Sequence, residues 1–144
     1  MTRHVLVAYD GSPLADRALR FATHEFPDDE VTALYVVDQE RDPTAMSGWG
    51  NDPHEWEDWL EAERDLAAGL FERAERVASE EGGSVRTAAA VGRVHDRVVQ
   101  YAADHDVDVV VVGTHGRSAA RKALLGSVAE TVIRESPVPV VAVR

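Results

Sequence analysis

Short apolar runs alternate with stretches of helical period along the whole chain. Val5-Leu6-Val7-Ala8-Tyr9 is rich in β-branched residues and ends on the turn signal Asp10-Gly11, which predicts a buried strand. Ser12-Pro13 then supplies an N-cap and a proline for the first helical position. Leu14, Ala18, Phe21 and Ala22 recur at helical spacing up to about Phe26, and Pro27-Asp28-Asp29 breaks the pattern. Residues 31–37 form a second apolar strand closed by Asp38, and residues 39–55, with Pro43, Gly48, Gly50 and Pro53, are irregular.

A long helix is predicted over about 54–81, with Trp56, Leu60, Leu66, Leu70, Ala74 and Val77 as its apolar stripe and Gly82-Gly83 as its stop. An Ala-rich strand over 85–91 leads through Gly92 into a helix over about 94–105, with Val98, Val99, Tyr101 and Ala102 available for burial. Residues 107–112 contain the strongest run, whose consecutive valines fit a central parallel strand covered on both faces. After a loop come a helix from Ser127 to about Glu135 and a last strand, Val138 to Val143. The order β-α-β-α-β-α-β-α-β predicts one α/β domain over residues 1–144 with a parallel sheet.

Composition narrows the chemistry. A length of 144 residues suits one domain, and the absence of cysteine removes disulfides, thiolate metal sites and cysteine nucleophiles. A net charge of −11 disfavours nucleic acid and anionic membrane as partners. Of the 15 basic residues only Lys122 is a lysine; abundant acid with so little lysine resembles proteins of extreme halophiles, although a GC-rich genome gives the same arginine bias. Met1-Thr2-Arg3-His4 runs directly into the first strand without a signal-peptide pattern, and the valine run is far too short to span a membrane, so a cytoplasmic protein is expected.

Ligands of open α/β sheets bind beyond the carboxyl ends of the strands, which directs attention to the loops beginning at Asp10, Asp38, Gly92 and Gly113. Neither G-x-x-x-x-G-K-[ST] nor, after the first strand, G-x-G-x-x-G occurs. The loop after the fourth strand reads Gly113-Thr114-His115-Gly116, then nine residues, then Gly126-Ser127. Its glycines let backbone approach a ligand, and Gly126-Ser127 opens a helix whose N–H groups and dipole attract an anion.

This G-x2-G-x9-G-S pattern, with Leu124-Leu125-Gly126-Ser127-Val128, Ser136-Pro137-Val138-Pro139-Val140, the opening Val5–Tyr9-Asp10-Gly11-Ser12 and Leu34-Tyr35-Val36-Val37-Asp38, resembles the ATP-binding subgroup of the universal stress protein family over essentially the whole chain. The resemblance implies a doubly wound five-stranded sheet of order 3-2-1-4-5 with helices on both faces, similar to the adenine-nucleotide α-hydrolases. It implies adenine contact at the backbone near Val36 and a role for Asp10 near the ribose or a phosphate-bound metal. It also puts Gly113, Thr114, His115, Gly116, Gly126, Ser127 and Val128 along the ribose and phosphates. Arg117 joins this set as a cation at the loop's mouth, with Arg121 and Lys122 as further candidates. ATP with Mg or Mn is the implied cofactor.

Simpler readings stand beside several of these. Ser127 with Glu130 matches a capping box, and Asp10 is common before a turn for local reasons. His115 is read as contributing its amide rather than a general base, and Arg117, Arg121 and Lys122 also serve to balance acidic surface. His105, within Asp104-His105-Asp106-Val107-Asp108, belongs to a solvated turn at the far end of the sheet. Trp56 and Trp59 anchor the long helix, and Trp49 has either a structural or a covering role.

The loop from Gly113 to Val128 contains no acidic residue, so it is suited to hold ATP more than to turn it over. The expected function is a nucleotide-liganded regulatory homodimer in the stress response, with a slow ATPase and a nucleotide-independent protein-interaction adaptor, engaging a regulatory protein partner, as alternatives. The strand from Val138 to Val143 is an apolar edge carrying Pro139 and is the expected dimer contact. A receiver domain, the rival on the same fold, needs an acidic pair after the first strand and a lysine near the fifth, and neither is present.

Overall fold

The computed structural model describes residues 2–38, 53–115 and 125–144. Its elements are β1 (His4–Ala8), α1 (Pro13–Glu25), β2 (Glu30–Val37), α2 (Pro53–Glu80), β3 (Arg86–Val91), α3 (Val94–Asp104), β4 (Val109–Gly113), α4 (Ser127–Glu135) and β5 (Val140–Val143). All strands are parallel, in the order β3-β2-β1-β4-β5. Sequence order reverses between β1 and β4, where Val5, Leu6 and Val7 align with Val109, Val110 and Val111.

Alternation along each strand divides the core into two layers. Val5, Val7, Tyr9, Val31, Ala33, Tyr35, Val37 and Val111 pack with Ala18, Leu19 and Ala22 of α1 and with Leu70, Ala74 and Val77 of α2. Leu6, Leu34, Val36, Val110 and Val112 pack on the other face with Val98 and Ala102 of α3 and Ala129 and Val132 of α4. The valine run of β4 is therefore buried on both sides, as its composition requires.

Several expectations shift by one or two residues for identifiable reasons. Val107 is buried but lies in the turn that follows α3, its N–H donating to Ala102 O at 3.2 Å, with Asp106 at φ 52° making the turn. Val138 is held in a turn in which its N–H donates to Ser136 Oγ and its carbonyl accepts from the same hydroxyl. The β5 ladder begins at the carbonyl of Pro139, which accepts from Val110 N at 3.0 Å, so the missing proline N–H removes nothing from the sheet.

The stripe of α2 differs from the one expected. Trp59, Ala67, Leu70, Ala74, Val77 and Ala78 are buried, whereas Leu66 is 42% exposed. The buried positions centre on the helix face between Leu70 and Ala74, and Leu66 falls about 60° to one side of that centre, at the rim of the stripe. Trp59 thus anchors the helix in the α1–α2 layer, while Trp49 and the Trp56 side chain lie outside the described residues. The helix stops at Gly82, whose φ of +78° suits glycine, and Gly83 N donates back to Ala78 O at 3.0 Å.

A candidate nucleotide crevice

The reversal point sets the end of β1 beside the end of β4, so the turn from Asp10 to Ser12 faces the segment from Gly113 to His115. Asp10 Oδ1 accepts from Ser12 N at 2.9 Å, which is the local turn expected of an aspartate here. That turn leaves Oδ2 with no hydrogen bond among the described residues. Ser12 then caps α1, its Oγ accepting from Ala15 N at 3.2 Å.

Val36 meets the crevice through its backbone. Tyr9 N donates to Leu34 O at 2.9 Å, and Gly92 N donates to Val37 O at 2.9 Å. Alternation along β2 thus turns the N–H and C=O of Val36 toward the β1 side, two residues beyond the last β1 bond. One donor and one acceptor open side by side above Asp10, while the Val36 side chain stays in the core.

Thr114 is 6% exposed, and its backbone is committed on both sides. Its N–H donates to Val143 O at 2.8 Å, and its carbonyl accepts a short bond from Gly126 N. Gly113 and Gly126 also have packing duties within the fold. A Cβ on Gly113 would stand 2.9 Å from Leu14 Cβ, and one on Gly126 would stand 2.9 Å from Thr114 O. Both are glycine because α1 and the start of α4 press against the end of β4. His115 Nδ1 is buried without a hydrogen-bond partner among the described residues.

The capping box at Ser127 is not formed. The N-cap is Gly126, at φ −69° and ψ 158°, and no side chain caps the helix. Ser127 is the first helical residue, which moves Glu130 to the fourth position, where it faces Arg134 at 3.8 Å. The first intrahelical bond is Glu130 N to Gly126 O at 2.9 Å, so the N–H groups of Ser127, Val128 and Ala129 have no intrahelical acceptor. An uncapped N-terminus at a crevice floor attracts an anion through those N–H groups and the helix dipole. Gly116, Arg117, Arg121 and Lys122 lie outside the described residues.

Beneath the Asp10 turn is a polar cluster that sequence reading missed. Tyr9 Oη donates to Asp16 Oδ1 at 2.6 Å, and Arg73 of α2 forks onto both Asp16 oxygens, with Nε at 3.3 and 3.2 Å. Tyr9 and Asp16 are 2% and 8% exposed. Burial, followed by the bond to Asp16 and its charge, pushes the Tyr9 hydroxyl well above the usual tyrosine range. For Asp16 burial acts upward, but the bonds from Arg73 and Tyr9 and the charges of Arg73 and Arg20 outweigh it and hold the carboxyl below its usual value. The one signal available was an acid at position 16 between the buried Ala15 and Ala18.

At the opposite end of the sheet, His105 stacks on Tyr101 with ring centroids 3.7 Å apart. Asp108 Oδ2 accepts from His4 N at 2.7 Å, so this acidic turn joins the strand ends far from the crevice.

A family model described as the universal stress protein family matches residues 1–144. The chain belongs to the universal stress protein family. A universal stress protein of Methanocaldococcus jannaschii is 30% identical over 155 residues, covering 100% of this chain and 96% of the relative. Among solved structures, a universal stress protein from Lactobacillus plantarum superposes with a TM-score of 0.81 at 23% identity, over 99% of this chain and 97% of that one. The Archaeoglobus fulgidus family member in complex with dAMP gives 0.61 at 24% identity, over 100% of this chain and 98% of that one. An Arabidopsis thaliana member with AMP bound gives 0.66 at 18%, over 97% and 90%. These likenesses establish the five-stranded fold.

Proposed function

We propose that this protein binds an adenine nucleotide, with ATP as the physiological ligand, in the crevice between the ends of β1 and β4. The observation that carries the reading is the uncapped start of α4 facing the Asp10 turn. Three N–H groups receive phosphate oxygens there without a P-loop lysine. The outward N–H and C=O of Val36 match the donor–acceptor edge of adenine, and Asp10 Oδ2 is available to the ribose or to a phosphate-bound Mg or Mn. Gly113, Thr114, His115, Gly126, Ser127 and Val128 are assigned to the ribose and phosphates, and Gly116 and Arg117, outside the described residues, are assigned to the same site from the sequence. Relatives solved with AMP and with dAMP support an adenine nucleotide as the class of ligand.

Asp10 is the one carboxylate of the Asp10 turn and the phosphate loop, so binding is favoured over turnover. ATP acts here as a conformational ligand in a cytoplasmic stress-response regulator of a halophile. Homodimerisation through Val138 to Val143 is supported by the position of β5 at the sheet edge. Among the described residues no helix is long and apolar enough to cross a membrane.

The test is calorimetric titration with Mg-ATP and with AMP in molar KCl, using the wild type and Ser127→Asp. An aspartate at the first helical position favours the helix through its dipole but repels phosphate, so the variant stays folded. Binding by the wild type and a loss of at least about tenfold in the variant are expected. Equal affinities would overturn the reading. Light scattering on the same samples should give a dimer mass; a monomer at micromolar concentration refutes the β5 contact.

A further inference from the structure

The turn carrying Asp10 is closed from below by its own flanks. Tyr9 precedes it and Asp16 follows it by one helical turn, and their 2.6 Å bond ties the two flanks together. Within that ring Ser12 N bonds Asp10 Oδ1, Ala15 N bonds Ser12 Oγ, and Asp16 N bonds Ser12 O at 3.0 Å. All of these contacts are local to residues 9–16. From distant elements, Leu34 O of β2 takes the Tyr9 N–H at 2.9 Å, and among the described residues the side chain that reaches the ring is Arg73, which grips the carboxylate that Tyr9 also holds.

We propose that Arg73 is a positioning residue for the crevice: through Asp16 and Tyr9 it fixes the turn that presents Asp10, and it makes the long helix α2 a control element for binding there. A buried carboxylate deprived of its cation takes up a proton or moves toward water, and either change alters its bond to Tyr9. The geometry of α2 suits the role. Asp16 meets Arg73 and Arg20 meets Glu80 at 3.0 Å, so α1 and α2 run parallel. The turns of α2 before Leu70 therefore extend past the start of α1, on the crevice side of the sheet, with Trp59 buried among them. Displacement of that half-helix pulls on Arg73, and occupancy at Asp10 is felt by α2 in return.

The ligand half of this proposal rests on the adenine-nucleotide reading; the positioning half does not. The experiment measures amide hydrogen exchange at Gly11 and Ser12 in the nucleotide-free full chain, together with the Kd for AMP. The proteins are the wild type, Arg73→Ala, Arg73→Lys, Tyr9→Phe and Glu80→Ala. Arg73→Ala should speed Ser12 exchange by about tenfold and weaken AMP by about fivefold, because local opening of the turn becomes easier. Arg73→Lys should restore part of both effects, and Tyr9→Phe, which removes one hydroxyl, should move both in the same direction as Arg73→Ala. Glu80→Ala cuts the other α1–α2 ion pair and should change neither.

Wild-type exchange at Ser12 in Arg73→Ala, or an equal rise in Glu80→Ala, overturns the proposal. If the wild type fails to bind AMP, the nucleotide reading falls and the exchange data alone decide whether Arg73 positions the turn.

Discussion

Two glycines should respond in opposite directions to the same added methyl group. In Gly126→Ala the new Cβ would stand 2.9 Å from Thr114 O and 3.5 Å from His115 Cα. A normal contact to the carbonyl needs about half an ångström more, and the obstacle is backbone, so the start of α4 must slide away from β4. Such overpacking costs about 1–3 kcal/mol, and alanine is a poorer N-cap than glycine. Restriction of the unfolded chain returns about 0.4–1 kcal/mol. The net is a loss of about 1–2 kcal/mol, or a fall in Tm of about 3–8 °C for a chain of this size. The same slide carries the N–H groups of Ser127 and Val128 off their positions, so AMP affinity should fall by about tenfold, equivalent to about 1.4 kcal/mol.

Gly69 lies within α2, and a Cβ there meets nothing within 4 Å. Gly69→Ala should gain about 0.5–1 kcal/mol from helix propensity and leave binding unchanged. Thermal unfolding followed by circular dichroism, with calorimetric titration of AMP, checks both. A Gly126→Ala protein whose Tm rises alongside that of Gly69→Ala would refute the close approach of α4 to Thr114.

Other expectations concern charge and the revised face of α2. Asp16 is depressed by Arg73 and Tyr9 against the pull of burial, and Asp29 by the backbone and side chain of Arg3. Both bind fewer protons folded than unfolded, so their stabilisation is complete above about pH 4 and lost as pH falls through the lower folded values. Denaturant titrations across that range should show the loss, and Asp16→Asn should flatten part of it while lowering stability at neutral pH. A net charge of −11 predicts that Tm rises from dilute buffer to molar KCl as self-repulsion is screened, and a flat or falling Tm would count against it. Leu66→Gln should change stability by no more than about 0.5 kcal/mol, whereas Leu70→Ala should cost about 2–5 kcal/mol in urea unfolding.

Most of the architecture was readable because it rests on local period and punctuation. Ser12-Pro13, Pro27 and Gly82-Gly83 mark helix ends in the chain as they do in space, and the valines of β4 announce a strand covered on both sides. Leu66 was misread because hydrophobicity alone was counted; Ala67, the smaller residue, occupies the buried position. The simpler reading of Ser127, as the cap of a Ser127–Glu130 capping box, fails because the helix begins one residue earlier than that pattern implies, with Gly126 at the N-cap, and only backbone geometry reveals the phase. The duties of Gly113 and Gly126 were invisible because they depend on Leu14 and on the carbonyl of Thr114, neither of which a spacing motif contains. Arg73 escaped for the same reason, since its partner Asp16 is distant in sequence.

The pairing of β1 with β4 joins residues more than one hundred positions apart. During synthesis β1, α1 and β2 can assemble as soon as they leave the ribosome, with Ala8 already aligned to Leu34. The other flank of β1 stays unsatisfied until nearly the whole chain has emerged. Late, non-local closure of this kind makes folding slow and leaves apolar strand edges exposed in the meantime. By chain order the crevice can close only after β1, α1 and β2 have emerged, so a nucleotide bound there as proposed would stabilise the finished protein without guiding these early steps.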